Sequence, residues 1–268
     1  MIVLKSPREI ELIRRGGRIL AELTERLRVL VRPGLSTQEI DEEVEAFIRA
    51  RGALPAFKGY RGFPASVCVS INDEVVHGIP SPGRRLKEGD IVGLDLGCIV
   101  EGYYADCAVT LPVGEIPPAV QKLLDVTRES LELAIAECRP GRRLGDVSHA
   151  VQRHVEAHGF GVVRAFVGHG IGRQLHEEPQ IPNFGEPGRG PQLKPGMVLA
   201  IEPMVTMGHW EVRILDDGWT AVTADGSLAA HFEHTVAVTE SGPDVLTAPR
   251  SAAGGGDGAR PGARRPGR

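Results

Sequence analysis

The sequence predicts an α+β fold, and three observations support this class. Four segments carry apolar residues at helical spacing, whereas seven others alternate with a period of two. The strand segments follow the helices in groups instead of alternating with them one by one, which favours α+β over a doubly wound parallel sheet. Two stretches of the first half also resemble stretches of the second half, which predicts two similar halves packed face to face.

Capping residues and chain breakers delimit the predicted helices. Ser6 is expected to cap the first helix with Glu9 as its capping-box partner, and Ser36 or Thr37 begins the second. Proline and glycine residues end each apolar pattern. The predicted helices cover about 6–32, 36–51, 119–138 and 144–158.

Between and after the helices, the period of two indicates strands. The runs are rich in β-branched residues and are bounded by turn residues. The predicted strands cover 66–71, 91–97, 103–111, 163–167, 197–203, 219–223 and 231–238.

A weak internal repeat relates the two halves. Residues 86–92 resemble residues 193–199, and extending this alignment makes Asp95 equivalent to Glu202. Residues 75–79 resemble 167–171, and each of these segments contains a His-Gly pair. Each half is therefore expected to bring one histidine and two carboxylates to the seam: His77, Asp95 and Asp106 from the first, and His169, Glu202 and Glu233 from the second.

Composition and charge exclude several classes. With 41% hydrophobic and 25% charged residues, the chain is not wholly disordered, and it lacks the run of ~20 apolar residues that a membrane span requires. Its four cysteines show no C-x-x-C spacing, which argues against a zinc ribbon or a disulfide scaffold. We expect a reduced, cytoplasmic protein that contacts neither a membrane nor DNA.

The net charge of −4 is unevenly distributed. Residues 250–268 hold five Arg and one Asp, a charge of +4, so residues 1–249 carry −8. The Gly-, Pro- and Arg-rich stretch is predicted to be a disordered tail, and residues 1–249 the folded domain. A solvated tail is the simplest interpretation, and contact with nucleic acid or the ribosome is the alternative.

The first two aspartates lie on neighbouring predicted strands. Alternation puts Asp95 on one face with Gly93 and Gly97, and a hairpin turn at 100–102 would set Asp106 directly across from Asp95. Like charges in that position repel, which makes sense if a cation lies between them. A pair of ordinary surface aspartates is the alternative.

Glu202 and Glu233 lie in apolar strands, and His169 lies among three glycines. Charged groups in such strands are rarely buried without a partner, although each could instead face solvent. Together with the aspartates they form an oxygen-rich set with one imidazole, suited to two divalent ions such as Co, Mn, Fe or Zn. Two ions ~3.5 Å apart can activate a bridging water, which implies a hydrolase.

Seven strings resemble those of the type I methionine aminopeptidases. They are VHGIP (76–80), LDLG (94–97), YAD (104–106), GHGIG (168–172), HEEP (176–179), AIEPM (200–204) and FEHT (232–235). The resemblance covers about residues 5–245 and implies the pita-bread fold, with two pseudo-symmetric halves, a curved antiparallel sheet and helices outside. The short spacing between Glu202 and Glu233 leaves no room for the insertion of type II enzymes, which favours a bacterial type.

The resemblance also implies roles for the site residues. The metal ligands would be Asp95, Asp106, His169, Glu202 and Glu233, with Asp106 and Glu233 bridging the ions. Glu202 would also accept the proton of the attacking water, His176 would stabilise the tetrahedral intermediate, and His77 would contact the substrate backbone. The substrate would be the N-terminal methionine of peptides and nascent chains, removed preferentially when the second residue is small.

The methionine pocket is likewise implied by the resemblance. Its lining positions are Tyr60, Phe63, Cys68 and Trp219, with Phe57 at the edge and Leu175 beside His176. Leu175 stands where the family often has an aromatic residue, and Phe63 where it often has tyrosine. Both stay apolar, so we expect altered kinetics but unchanged specificity.

Two other functions are compatible with the same fold. An X-Pro aminopeptidase would carry a substantial extra N-terminal domain, whereas here the first helix is predicted to begin at residue 6. A non-catalytic ribosome- or RNA-binding module would have lost ligands that this chain retains. We expect a monomer, with transient ribosome contact through the basic tail as a further hypothesis.

Overall fold

The computed structural model describes residues 1–249, and the predicted helices lie close to their expected positions within it. The predicted disordered tail, residues 250–268, lies outside the described residues. The helices are α1 (Pro7–Leu30), α2 (Thr37–Ala50), α3 (Pro118–Ala136) and α4 (Leu144–Ala157).

The predicted caps of the first two helices are confirmed. The Glu9 backbone N–H donates to the Ser6 hydroxyl, and the Ser6 N–H donates to the Glu9 carboxylate at 2.8 Å. Ser36 and Glu39 form the same reciprocal pair at the start of α2. Such boxes satisfy backbone donors that have no partner inside the helix, which fixes where each helix begins.

The strands are short outside one long hairpin. They are β1 (Leu54–Pro55), β2 (Val67–Ile71), β3 (Glu74–Val76), β4 (Ile91–Val100), β5 (Tyr103–Pro112), β6 (Gly161–Val162), β7 (Gly168–Gly170), β8 (Glu177–Ile181), β9 (Val198–Ile201), β10 (Met204–Thr206), β11 (Val212–Ile214), β12 (Ala221–Thr223), β13 (Ala229–His231), β14 (Glu233–Thr239) and β15 (Gly242–Val245).

Within the described range the strands form three antiparallel sheets. The largest has nine strands with the central order β1-β4-β5-β14-β9-β7-β8, while β2 pairs with β4 and β15 with β14. Two three-stranded sheets, β13-β10-β6 and β11-β12-β3, lie beside it. Helix α1 packs on β4 and β5, and α3 packs on α4, so the apolar side chains of helices and sheet share one core. This arrangement confirms the α+β, pita-bread prediction.

The register of the long hairpin differs from the prediction. Asp95 was predicted to lie directly opposite Asp106, but Asp106 lies opposite Gly97. The turn explains the shift, because Glu101 and Gly102 form a two-residue loop with φ angles of 50° and 81°. Positive φ at both positions is the type I′ pattern that matches the twist of the strands. The aspartates are therefore diagonal neighbours on one face of the sheet.

One predicted strand is wrong and others break. Residues 163–167 are not a strand, because the chain pairs only at β6 and again at β7. The predicted run 197–203 ends early, at the end of β9, and β10 begins just beyond it; the run 231–238 is divided between β13 and β14. From β9 to β10 the chain passes from the large sheet to a small one, and from β13 to β14 it passes from the small sheet to the large one. Period-two alternation alone does not reveal such a change of sheet.

Equivalent hydrogen bonds support the internal repeat. The Gly34 N–H donates to the Leu86 carbonyl at 2.8 Å, and the Gly141 N–H donates to the Leu193 carbonyl at 3.4 Å. Both partners are displaced by 107 positions, the offset that relates Asp95 to Glu202. Among the helices of residues 1–249, none is both long and apolar enough to cross a membrane.

Candidate active site

The two glutamates meet where strands change sheets. Strand β14 pairs with β9 through His234 and Ile201, whereas β13 pairs with β10 through His231 and Met204. Between these pairings the Phe232 N–H donates to the carbonyl of Pro203, which has no N–H of its own to pair. The junction therefore brings Glu202, which lies between β9 and β10, together with Glu233 at the start of β14.

The hairpin supplies the aspartates beside this junction. Glu233 lies opposite Ala108 on β5, and Asp106 is two residues earlier on the same strand. The Asp106 N–H donates to the Thr235 hydroxyl at 3.1 Å, and that hydroxyl donates to the Asp106 carbonyl at 2.7 Å. This reciprocal pair ties the aspartate strand to the glutamate strand.

His169 is held in one orientation on β7. Its Nδ1 lies 3.0 Å from the Gly170 carbonyl, so Nδ1 carries the proton and Nε2 has the free lone pair that a metal ligand needs. Nε2 lies 3.5 Å from Glu202 Oε1 and 4.0 Å from Asp106 Oδ2. The flanking glycines are required, since a Cβ on Gly170 would stand 2.2 Å from the Glu178 carbonyl oxygen.

A cavity of about 300 Å³ contains this cluster. Every residue predicted as a ligand, catalytic group or pocket wall lines it. They are Phe57, Tyr60, Phe63, Cys68, His77, Asp95, Asp106, His169, Leu175, His176, Glu202, Trp219 and Glu233. Arg61 and Phe166 also line the cavity and were not predicted.

Burial makes the charged forms of these groups unfavourable. It raises the pKa of Asp95 to about 6 and that of Glu202 to about 8. Burial, followed by repulsion from neighbouring carboxylates, raises the pKa values of Asp106 and Glu233 well above their ordinary range. Burial lowers the pKa of His169 to about 3. Four acids crowded this way require a compensating cation when ionised.

The donor set fits divalent ions. Asp95 Oδ1, Asp106 Oδ1 and Glu233 Oε1 are buried, and none has a hydrogen-bond partner within residues 1–249. Unsatisfied buried oxygens cost free energy unless a ligand binds them. Donor atoms of Asp106, His169 and Glu233 lie within 4.8 Å of one another, close enough to hold one ion. Carboxylates with one imidazole suit first-row divalent metals.

His176 lies beside His169. Its Nδ1 is 2.8 Å from the Tyr60 hydroxyl, and its ring centroid is 4.3 Å from that of His169. Burial, together with the charge of Arg61, lowers the pKa of His176, so the imidazole is neutral near pH 7. A neutral imidazole bonded at one nitrogen offers the other to the cavity.

Aromatic side chains form the apolar end of the cavity. Phe63 and Trp219 meet edge to face with centroids 5.2 Å apart. His77 contacts Trp219 and Phe166 edge-on, at 6.3 and 5.3 Å. Pockets of this kind, apolar with a few polar groups at one end, are typical of small-ligand sites.

His231 joins this constellation and was missed by the sequence analysis. Its Nε2 lies 3.6 Å from Glu202 Oε2, and a group of donor atoms from Glu202, His231 and Glu233 lies within 4.8 Å. Strand alternation could have indicated this residue, because a predicted strand over 231–238 places residues 231 and 233 on the same face. Phe166 also lines the cavity, but it lies in the run 163–167, which is predicted as a strand and is not one, so the sequence pattern did not indicate where its ring lies.

Comparisons with known proteins agree with this geometry. Residues 11–240 match metallopeptidase family M24. The chain is 54% identical over 247 residues to methionine aminopeptidase 1 of Bacillus subtilis, covering 92% of this chain and 99% of that protein. The crystal structure of methionine aminopeptidase from Thermotoga maritima superposes with a TM-score of 0.91 at 50% identity, covering 92% and 100% of the two chains.

A more distant relative shares the fold alone. Prolidase from Pyrococcus furiosus superposes with a TM-score of 0.74 at 23% identity, covering 93% of this chain and 66% of that one.

Because the family match spans residues 11–240, the chain belongs to metallopeptidase family M24. Within that family it is a member of the bacterial type I methionine aminopeptidases.

Proposed function

We propose that this protein removes the N-terminal methionine of peptides and nascent chains with two divalent ions held by five side chains. Asp95, Asp106, His169, Glu202 and Glu233 would be the ligands. The observation that carries this proposal is the set of buried, unpartnered carboxylate oxygens at the polar end of an apolar cavity. Co, Mn, Fe or Zn would all suit these donors.

The ions, when bound, supply Lewis acidity that makes water a nucleophile near neutral pH and polarises a carbonyl. The chain's own task is to position donors and to move protons. Glu202 is the proton acceptor for the attacking water, because it contacts His169 within the cluster and its side chain is only 13% exposed. A carboxylate in a low-dielectric site accepts a proton more readily than one in water.

His176 would stabilise the oxyanion of the tetrahedral intermediate. With the Tyr60 O–H donating to Nδ1 at 2.8 Å, the proton of the neutral ring lies on Nε2 and is available to a developing negative oxygen. His77 lines the same cavity from the other half of the fold, where it would contact the substrate backbone near the leaving amine.

The methionine side chain would occupy the apolar end of the cavity. Tyr60, Phe63, Cys68 and Trp219 form its walls, and Phe57 and Leu175 close its edges. Soft, polarisable contacts between aromatic rings and a thioether favour methionine over a branched side chain of similar size. The substrate's free amine would lie at the metal end, which makes the enzyme an exopeptidase.

The remaining partners are inferred from the substrate class and the charge pattern. Nascent chains that begin with methionine emerge in the cytoplasm, so we propose a cytoplasmic location. We also propose that the enzyme is a monomer. The +4 charge of residues 250–268 would favour transient ribosome contact. Deleting that segment should weaken ribosome binding at low salt, and unchanged binding would remove this hypothesis.

A peptide panel tests the proposed activity. We expect Mn(II)-loaded enzyme to release methionine from Met-Ala-Ser, faster than from Met-Phe-Ser, and to leave N-acetyl-Met-Ala-Ser and Leu-Ala-Ser uncut. Peptides with a free Xaa-Pro terminus form a separate arm. Cleavage of the Xaa-Pro peptides alone would overturn the proposal in favour of an X-Pro aminopeptidase.

A further inference from the structure

We propose that His231 is a positioning residue that donates a hydrogen bond from Nε2 to Glu202 and so holds the proton acceptor in place. This inference rests on the proposed function. His231 itself binds neither an ion nor the substrate in this account. It acts by fixing one oxygen of Glu202 so that the other stays directed at the reacting groups.

The two oxygens of Glu202 face two different imidazoles. Oε1 lies 3.5 Å from Nε2 of His169, and Oε2 lies 3.6 Å from Nε2 of His231. The second distance is just beyond a hydrogen bond, and such contacts often tighten when a site is loaded with its ligands. A small rotation of the carboxylate brings Oε2 within reach of His231.

Nε2 of His231 has an unused donor position, and Glu202 lies beside it. The ring is buried with 3% of its surface exposed, and within residues 1–249 its Nε2 has no hydrogen-bond partner. A buried polar nitrogen without a partner costs free energy, and Glu202 is the acceptor beside it. An imidazole carries at least one N–H in either protonation state, so the ring has a proton to donate.

His231 differs from His169 in how its proton is fixed. His169 engages the Gly170 carbonyl through Nδ1, which leaves a lone pair on Nε2 for a metal. In the described part of the chain, Nδ1 of His231 makes no such bond, so the proton can occupy Nε2. Hydrogen bonds to ligating carboxylates from outside the ligand set are a regular feature of metal sites.

The backbone of His231 is fixed from two sides. Its N–H donates to the Thr110 hydroxyl at 2.9 Å, and that hydroxyl donates to the His231 carbonyl at 2.9 Å. On the other side, β13 pairs His231 with Met204, two residues beyond Glu202. The same strand pairing that places Glu202 therefore places its proposed donor, which suits a positioning role.

The test compares His231→Gln, which keeps an N–H donor of similar reach, with His231→Leu, which has none. We expect His231→Leu to lower kcat for Met-Ala-Ser by ~10–100-fold, with KM changed far less, and His231→Gln to restore most of the rate. Absorption bands of the Co(II)-loaded proteins should coincide with those of the wild type, because the nitrogen ligand count is unchanged.

His234→Leu is the matched control. His234 is a buried histidine three positions along the chain that bonds Thr247 and does not line the cavity. It should lose stability but keep kcat. If His231→Leu does not fold, His231→Asn replaces it, because its shorter amide cannot reach Glu202.

Three results would overturn the proposal. Unchanged kcat in His231→Leu would show that the contact has no role. Shifted Co(II) bands together with weaker Co(II) binding by calorimetry in both His231→Leu and His231→Gln would make His231 a ligand. An equal loss of kcat in His234→Leu would make the effect a general one of packing. A wild type that releases no methionine would instead contradict the proposed function.

Discussion

The Tyr60 hydroxyl lies 2.8 Å from Nδ1 of His176, and this contact sets which nitrogen of the imidazole faces the cavity. Tyr60 comes from the short helical turn Tyr60–Gly62 in the first half of the fold, and His176 from the loop before β8 in the second. The bond therefore joins the two halves at the site and orients the group assigned to the oxyanion.

Tyr60→Phe removes that bond and keeps the ring. A hydrogen bond of ~0.5–1.5 kcal/mol predicts a fall in kcat of about twofold to tenfold, with little change in stability. Steady-state kinetics on Met-Ala-Ser measure this effect. Tyr104→Phe is the control, because Tyr104 does not line the cavity. A rate loss as large in Tyr104→Phe would contradict the assignment.

Glu202→Gln keeps the shape of the side chain and removes its ability to accept a proton. We expect kcat to fall by at least ~100-fold, the scale of general base catalysis. Removing one acid from a crowded cluster should also leave metal-free protein at least as stable, since repulsion falls. Kinetics together with thermal unfolding check both parts, and a variant that turns over normally would refute the role of Glu202.

Metal-free protein should lose stability as pH rises from 6.5 to 8.5. Burial raises the pKa of Glu202 to about 8 in the folded state, against an ordinary value of 4.5. For an acid with a raised folded pKa, stability is full below the unfolded value and is lost as pH rises through the folded value. The slope reaches ~1.4 kcal/mol per pH unit for one such group.

Between pH 6.5 and 8.5, the effect of Glu202 on stability can be measured without a contribution from the buried histidines. His77 and His234 have pKa values lowered to about 4 by burial, so their effect is confined to pH below about 6.5. Thermal unfolding with chelator and with Mn(II) at pH 6.5 and 8.5 measures the difference. We expect Mn(II) to stabilise the protein more at pH 8.5, because the ligands must lose protons to bind it. An equal gain at both values would contradict this account.

Gly97→Ala should disturb the methionine pocket from behind. A Cβ at this position would stand 2.6 Å from Cε1 of Phe57 and 2.9 Å from the Ala56 Cβ, so the Phe57 ring must move. Such overpacking costs ~1–3 kcal/mol, and we expect it to raise KM for Met-Ala-Ser. Gly93→Ala on the same strand is the control, because its nearest neighbour is 3.6 Å away. Equal KM values for the two variants would contradict the role of Phe57.

The local sequence predicted helices and caps well because their signals are local. Ser6 with Glu9 and Ser36 with Glu39 form their boxes within four residues, so no distant contact decides them. Hairpin register was harder to predict. Glu101 is not the usual residue for a positive φ, and the predicted turn centre consequently fell one position too early.

The site was predictable in membership but not in arrangement. Strings around the proposed ligands identify residues that line the cavity, yet the pairing of Phe232 with Pro203 is a contact between distant segments. That junction brings His231 beside Glu202, and alternation within one strand could suggest only that His231 and Glu233 share a face. Distances between elements follow from tertiary packing, which the periodicity of one chain segment does not contain.

A titration with Mn(II) tests whether the activity depends on bound metal ions. Protein stripped with chelator is given increasing Mn(II), and free methionine released from Met-Ala-Ser is measured at each step. We predict no release without the ion, and a rise to a plateau as the site fills. Full release from the metal-free protein would contradict the account.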